Sequence, residues 1–341
     1  MPSERRSSLR PWLPRSVTSA ARALQAFVRR TPLHGTKDGR WDRQMGTVVH
    51  QLVHGIVGPQ CSELGAREIA RLEALWSVFR PTSEVSRLAA QAGDQPIVVA
   101  PETVEILTHA RELHALTHGA LDITAGCLMR LWRTAVERGR VPTSKELAVT
   151  RALVNIADLE ISAGRLVRLR RAGQQLDLGA LVKGYAADRC IELYKGHGVR
   201  HAMIDLGGNV AALGSQPDGS PWRVGIQSPR GRRGEHLGYL EVRDCSVVTT
   251  GSYERVYEVA GHRYSHIVDP RTGVPVDTDI ESVTVMHRSS LMADAFATAF
   301  MVLGSKRAFE LASELSLDVM LLCGGRWQLT GTIHGLFHAN T

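Results

Sequence analysis

From His201 to Met286 the sequence breaks into short runs rich in β-branched and aromatic residues: HAMIDLGGNVAALG, WRVGIQ, YLEVR, SVVTT, YERVYEVAGHRYSHIVD and ESVTVM. Gly, Pro and Ser turns part them, which predicts strands in mixed, largely antiparallel sheets. Elsewhere apolar residues recur at helical spacing. PETVEILTHARELHALTHG opens with Pro101 at a first helical position, repeats Val104, Leu107, Ala110 and Leu113, and ends at Gly119. ALVKGYAADRCIELYKGHG predicts a second helix from about Ala180 to Gly196 or Gly198, and SSLMADAFATAFMVLG and SKRAFELASEL predict two more. The expected fold class is α+β, with helices packed on the sheets in a single two-lobed unit.

The chain has 341 residues, enough to bury a substantial core, and carries 41 Lys+Arg against 34 Asp+Glu. That basic balance would suit a nucleic-acid partner, but its distribution argues against one. Residues 1–44 hold 10 Lys/Arg and 3 Asp/Glu, a surplus of seven, which leaves 31 of each sign in residues 45–341. The body is formally neutral, and residues 1–44 read as a basic arm ahead of it. Arg15, Arg22 and Arg29 recur every seven residues opposite Val17, Ala20, Ala21, Leu24 and Phe27, the pattern of a basic amphipathic helix. The arginines deny the arm the apolar stretch of a standard secretory signal. ERRSSLR loosely matches a twin-arginine motif, so the arm reads as a solvated extension, a membrane-surface helix or an atypical export leader. The corresponding expectation for location is the cytoplasm, or the periplasm or cell envelope. No stretch reaches the ~18 apolar residues of a membrane-spanning helix.

Cys61, Cys127, Cys190, Cys245 and Cys323 are widely spaced and odd in number, which reads as buried free thiols. His50 and His54 in HQLVH have the spacing of a helical metal pair but lack the glutamate of HExxH.

Asp294 interrupts the apolar helix MADAFATAFMVLG, and a buried carboxylate must be paired, protonated or bound to a cation. Thr298, four residues on, shares its helical face. The pair offers hard oxygen donors suited to Mg²⁺; the alternative is a cap or an ion-pair partner. In HIVDPRTGVPV, turn chemistry accounts for Asp269 and Gly273 but not for His266, which is either a general base or a core histidine. LDLGALVKGYAAD runs from a glycine turn into a helix start beside Lys183, a setting for a phosphate or pyrophosphate. Gly207-Gly208 in IDLGGNVAALG permits a close ligand approach or marks a bulge. Asp122 and Thr124 in GALDITAG either read a polar ligand group or cap the next helix, and Ser83 in WSVFRPTSEVSRL reads as a cap. Neither GxGxxG nor GxxxxGK[ST] is present.

In order, MGT (Met45 to Thr47), SVFRPTSEVSRL, GALDITAG, LDLGALVKGYAAD, IDLGGNVAALG, TTGSYERVYE, YSHIVDPRTG and ADAFATAFMVLG resemble the ApbE family, the FAD:protein FMN transferases. The likeness covers nearly everything after residue 44. It implies an ApbE-like fold and an enzyme that splits FAD with Mg²⁺. Such an enzyme moves FMN to a Thr or Ser hydroxyl of an acceptor flavoprotein, of an electron-transport system, and releases AMP. By that resemblance Asp294, Thr298 and the carbonyl of Ala180 hold Mg²⁺, and His266 is the base. Met45, Phe79, Ala120, Leu121, Asp122, Asp177, Lys183 and Val268 contact FAD. The chain departs from the family in carrying Phe79 where Tyr is common and Ala297 where some members have Asp, and it has no lipobox cysteine. The alternatives are an FAD pyrophosphatase and a non-catalytic FAD-binding protein.

Overall fold

The computed structural model describes residues 39–340, apart from 233, 253–255 and 260. An antiparallel hairpin opens the fold, with β1 (Arg40–Gln44) joined to β2 (Thr47–Val53) by the two-residue turn Met45-Gly46. Both turn residues have positive φ, 50° and 70°, as a type I′ turn requires. The strand β1 thus lies before the Met45 boundary drawn from charge, with Arg40–Gln44 paired into the main sheet. RWDRQ looks solvated by composition, yet its backbone pairs at a sheet edge. The amphipathic segment at 15–29 lies outside the described residues.

Next come α1 (Gly58–Trp76), α2 (Glu84–Ala90), β3 (Ile97–Val98), α3 (Pro101–Leu116), α4 (Gly126–Glu137), α5 (Ser144–Arg151), β4 (Leu159–Ser162) and β5 (Leu166–Leu169). Ser83 caps α2, accepting from Ser86 N at 3.1 Å. The helix α6 (Val182–Gly196) leads into β6 (Ala202–Leu206), β7 (Asn209–Leu213), β8 (Trp222–Gln227), β9 (His236–Val242), β10 (Ser246–Gly251), β11 (Val256–Val259), β12 (His262–Ser265) and β13 (Ile280–His287). The chain closes with α7 (Ser290–Leu303), α8 (Ser305–Glu314), β14 (Asp318–Cys323), β15 (Arg326–Thr330) and β16 (Phe337–Ala339).

The main sheet has the order β1-β2-β6-β7-β10-β13-β14-β15, every neighbouring pair antiparallel. The fold is thus α+β, as the short strand runs predict. Both faces of the sheet are covered, and residues alternate between them with period two. Ala211, Leu213, Val319 and Leu321 enter the main core, which also takes in residues of α1, α6 and α7. Val210, Ala212 and Met320 meet Trp222, Ile226 and Leu240 of the small sheet β16-β9-β8. Phe296 and Phe300 of α7 stack with ring centroids 5.7 Å apart and are almost wholly buried. Each such side chain contributes roughly 1.5–3 kcal/mol of burial, so α7 is held firmly against the sheet.

HQLVH lies on β2 and its end, not on a helix, so the two histidines lack the one-turn geometry of a metal pair. His50 instead stacks on Trp41 at 3.8 Å, and burial lowers its pKa to about 4. All five cysteines are free, with Cys61, Cys127 and Cys190 buried. Among the described residues no helix is long and apolar enough to cross a membrane.

Candidate active site

The site is organised where α6 starts against α7. Asp294 is 2% exposed. It accepts from the backbone N–H of Gly184 at 3.1 Å and lies 3.5 Å from Lys183 Nζ. Burial raises its pKa, opposed by Lys183, by the Gly184 N–H and least by the Asn209 side chain. α6 begins at Val182, two residues later than its sequence suggests: Leu181 before it has φ −127°, outside the helical range, and Leu178 O takes the N–H of both Leu181 and Val182. Gly184 N–H then turns to Asp294 and not to the Ala180 carbonyl four residues back. Ala180 is partly buried against the core, and Thr298 is half-buried one turn along α7 from Asp294. Among the described residues no three His, Cys, Asp or Glu side chains form a metal cluster. A cation here would rest on one carboxylate and neutral oxygens, a hard donor set.

Gly184 is what permits this approach. A Cβ there would lie 2.6 Å from Leu291 Cα and 2.7 Å from Leu291 N, and would collide with the Ser290 carbonyl.

GALDITAG and LDLGALVKG run side by side. Ala125 bridges Gln175, Asp177 N donates to Ile123 O at 2.8 Å, and a Cβ on Gly126 would strike the Leu176 backbone. Asp122 Oδ1 accepts from Thr124 N at 2.8 Å and Thr124 Oγ1 at 2.6 Å, while its Oδ2 lies 3.4 Å from His114 Nδ1. Ala120 and Leu121 are buried beside it. The Asp177 carboxylate folds back on Gly179 N at 2.8 Å.

His266 stands just past β12, half-buried. The turn behind it is pinned from several sides. Asp269 O accepts from Gly273 N, and the Asp269 carboxylate from Arg271 Nε at 3.0 Å and Nη2 at 2.9 Å. Trp132 Nε1 of α4 donates to Gly273 O at 2.8 Å, and Arg271 Nη2 reaches Val302 O of α7 at 3.4 Å. Val268 packs with Ala125, Cys127, Leu128 and Trp132. The turn thus bridges GALDITAG and the helix that carries Thr298.

Met45 packs on the main core from its left-handed turn position. Phe79 is 75% exposed, with the Arg133 guanidinium 4.7 Å from its ring centroid. An aromatic face so open is available for stacking.

Two residues with work here escape sequence reasoning. Asp188 of α6 bonds the first turn of α7. Asn209 of β7 is fully buried and takes the Ser290 hydroxyl on its Oδ1, while its Nδ2 has no close hydrogen-bond partner among the described residues. Both lie inside quoted motifs, as the aspartate of GYAAD and the asparagine of GGN, where a solvated helix face and a glycine turn are the ordinary readings. The signal that could find them is a polar side chain at a position whose neighbours are buried.

Helices packed on an antiparallel sheet, with a buried carboxylate beside a lysine where two helices meet, define an α+β protein with a charged site between those helices. The ApbE family model matches residues 45–321. The FAD:protein FMN transferase of Treponema pallidum (strain Nichols) is 39% identical over 256 residues, 71% of each chain. That of Salmonella typhimurium is 31% identical over 295 residues, 82% of each. Among solved structures, the ApbE protein of Thermotoga maritima superposes with a TM-score of 0.81 at 26% identity, covering 88% of this chain and 99% of that one. The flavin transferase ApbE from Vibrio cholerae gives 0.77 at 27%, covering 88% and 98%. The chain belongs to the ApbE family.

Proposed function

We propose that the chain is an FAD:protein FMN transferase that moves FMN from FAD to a Thr or Ser hydroxyl of an acceptor flavoprotein, releasing AMP. The observation that carries this reading is the buried Asp294, with Lys183 beside it, Thr298 one turn along and the Ala180 carbonyl left out of the helix, in a member of this family. That oxygen set fits Mg²⁺. Asp294, Thr298 and the Ala180 carbonyl would hold it, and when bound it would offset charge on the pyrophosphate oxygens.

The chain's own groups do the rest. Lys183, 28% exposed at its side chain, reaches from Asp294 toward solvent and can meet a phosphate oxygen. Phe79 offers a stacking face, and Met45, Ala120, Leu121, Asp122, Asp177 and Val268 line the FAD path. His266 takes the proton as the acceptor hydroxyl attacks the FMN phosphorus. The new O–P bond forms, the anhydride P–O bond breaks, AMP leaves with the bond's electron pair, and the proton remains on His266. The His266 turn, tied to α4 and α7, keeps that base in place.

His266→Ala tests the assignment: it should abolish transfer to an acceptor and leave FAD binding intact. A fully active His266→Ala protein would remove His266 from the chemistry. AMP release that is equal with and without acceptor would favour the pyrophosphatase.

A further inference from the structure

Asp188 lies one helical turn beyond Gly184 on α6, and Ser290 one turn before Asp294 on α7, so two contacts of equal spacing join the helices. At one, Gly184 N–H bonds Asp294. At the other, the Asp188 carboxylate accepts from Ser289 Oγ at 2.7 Å, Ser290 N at 2.7 Å and Leu291 N at 3.0 Å. Ser289, the residue that caps α7, gives its own oxygen to Met292 N at 3.3 Å. The Ser289 hydroxyl and the first N–H groups of α7 are therefore held largely by a carboxylate from a neighbouring helix. Burial raises the pKa of Asp188 while these three bonds and His287 act against the rise. A negative group at a helix N-terminus is favourable, but a carboxylate of this chain's own α7 would cap it without tying it to α6.

We propose that Asp188 is a positioning residue for the cation site: it sets the axial position of α7 on α6, so that Asp294 and Thr298 face the Ala180 carbonyl and Lys183. The inference rests on the proposed Mg²⁺ site. Loss of the clamp leaves α7 in the core, where Phe296 and Phe300 hold it, but frees its first turn to slide against Gly184.

The test is calorimetric titration of the full-length protein with MgCl₂, comparing wild type, Asp188→Asn, Ser289→Ala and Asp294→Ala, alongside circular dichroism. Asp188→Asn should bind Mg²⁺ about tenfold more weakly, the scale on which the residues behind metal ligands act. Ser289→Ala, which removes one of the three bonds, should show a smaller loss, and FAD affinity should not change in either. In turnover, the KM for Mg²⁺ should rise more than kcat falls. Wild-type Mg²⁺ affinity in Asp188→Asn, with binding lost in Asp294→Ala, overturns the role of Asp188 alone. Should Asp188→Asn not fold, wild-type affinity in Ser289→Ala overturns it equally. Wild-type binding by Asp294→Ala overturns the cation site itself and, with it, this inference.

Discussion

Gly184→Ala puts the packing argument at risk in one substitution. The new Cβ would sit 2.6 Å from Leu291 Cα, where ordinary van der Waals contact starts at 3.4 Å, so α7 must retreat by about 0.8 Å. The obstacle is backbone on both sides and no flexible side chain can yield. Overpacking of this kind costs roughly 1–3 kcal/mol. The retreat also stretches the 3.1 Å bond from Gly184 N to Asp294 and displaces the carboxylate from Lys183. A misplacement near 1 Å at a reacting centre can cost about 10²-fold in rate. Urea unfolding and kcat/KM for FMN transfer measure the two effects. Gly196→Ala is the control, because it lies at the end of the same helix with nothing within 4 Å of its added carbon, and should be neutral or slightly stabilising. A Gly184→Ala protein with wild-type stability and rate would refute the close-approach argument.

Phe79→Ala should weaken FAD binding by about ten- to a hundredfold, since stacking on an aromatic side chain is worth ~1–3 kcal/mol per base, with little change in stability; fluorescence titration with FAD reads it. Met45→Asn relieves a left-handed residue in a turn that favours Asn-Gly, so the urea midpoint should rise, by up to about 1 kcal/mol of stability, while the KM for FAD increases. The pKa of Asp294 is raised above 3.8. The folded metal-free protein therefore holds that proton more tightly than the unfolded chain. The stability this adds is fully present below about 3.8 and is lost as pH rises through the higher folded value. Cation binding has the opposite sign, falling about tenfold per pH unit below the folded value, and calorimetric titration with MgCl₂ across pH checks it.

The elements that depend on one local signal were legible from residues. Pro101 and Gly119 bracket α3, the β-branched runs between Gly and Pro turns are β6 to β13, and Asp294 stood out because the other residues from Leu291 to Ala297 are all apolar. What escaped depends on tertiary partners. RWDRQ has no alternation that betrays an edge strand, and only its pairing with Thr47–Val53 makes it one. His50 and His54 fit a helix and a strand equally by spacing, and the stacking of His50 on Trp41 belongs to the hairpin. In the first turn of α6 the Gly184 N–H is claimed by α7, a segment 110 residues away, which helical spacing does not reveal. For the same reason Asp188 looks like an ordinary helix-surface acid until α7 is laid beside it.

The most direct test is incubation of the protein with FAD, MgCl₂ and a panel of candidate acceptor flavoproteins, read by intact-protein mass spectrometry and AMP release. The expected result is an acceptor heavier by one FMN moiety, AMP in equal amount, and neither product in Asp294→Ala. AMP and free FMN formed at the same rate with every acceptor left unlabelled would contradict it.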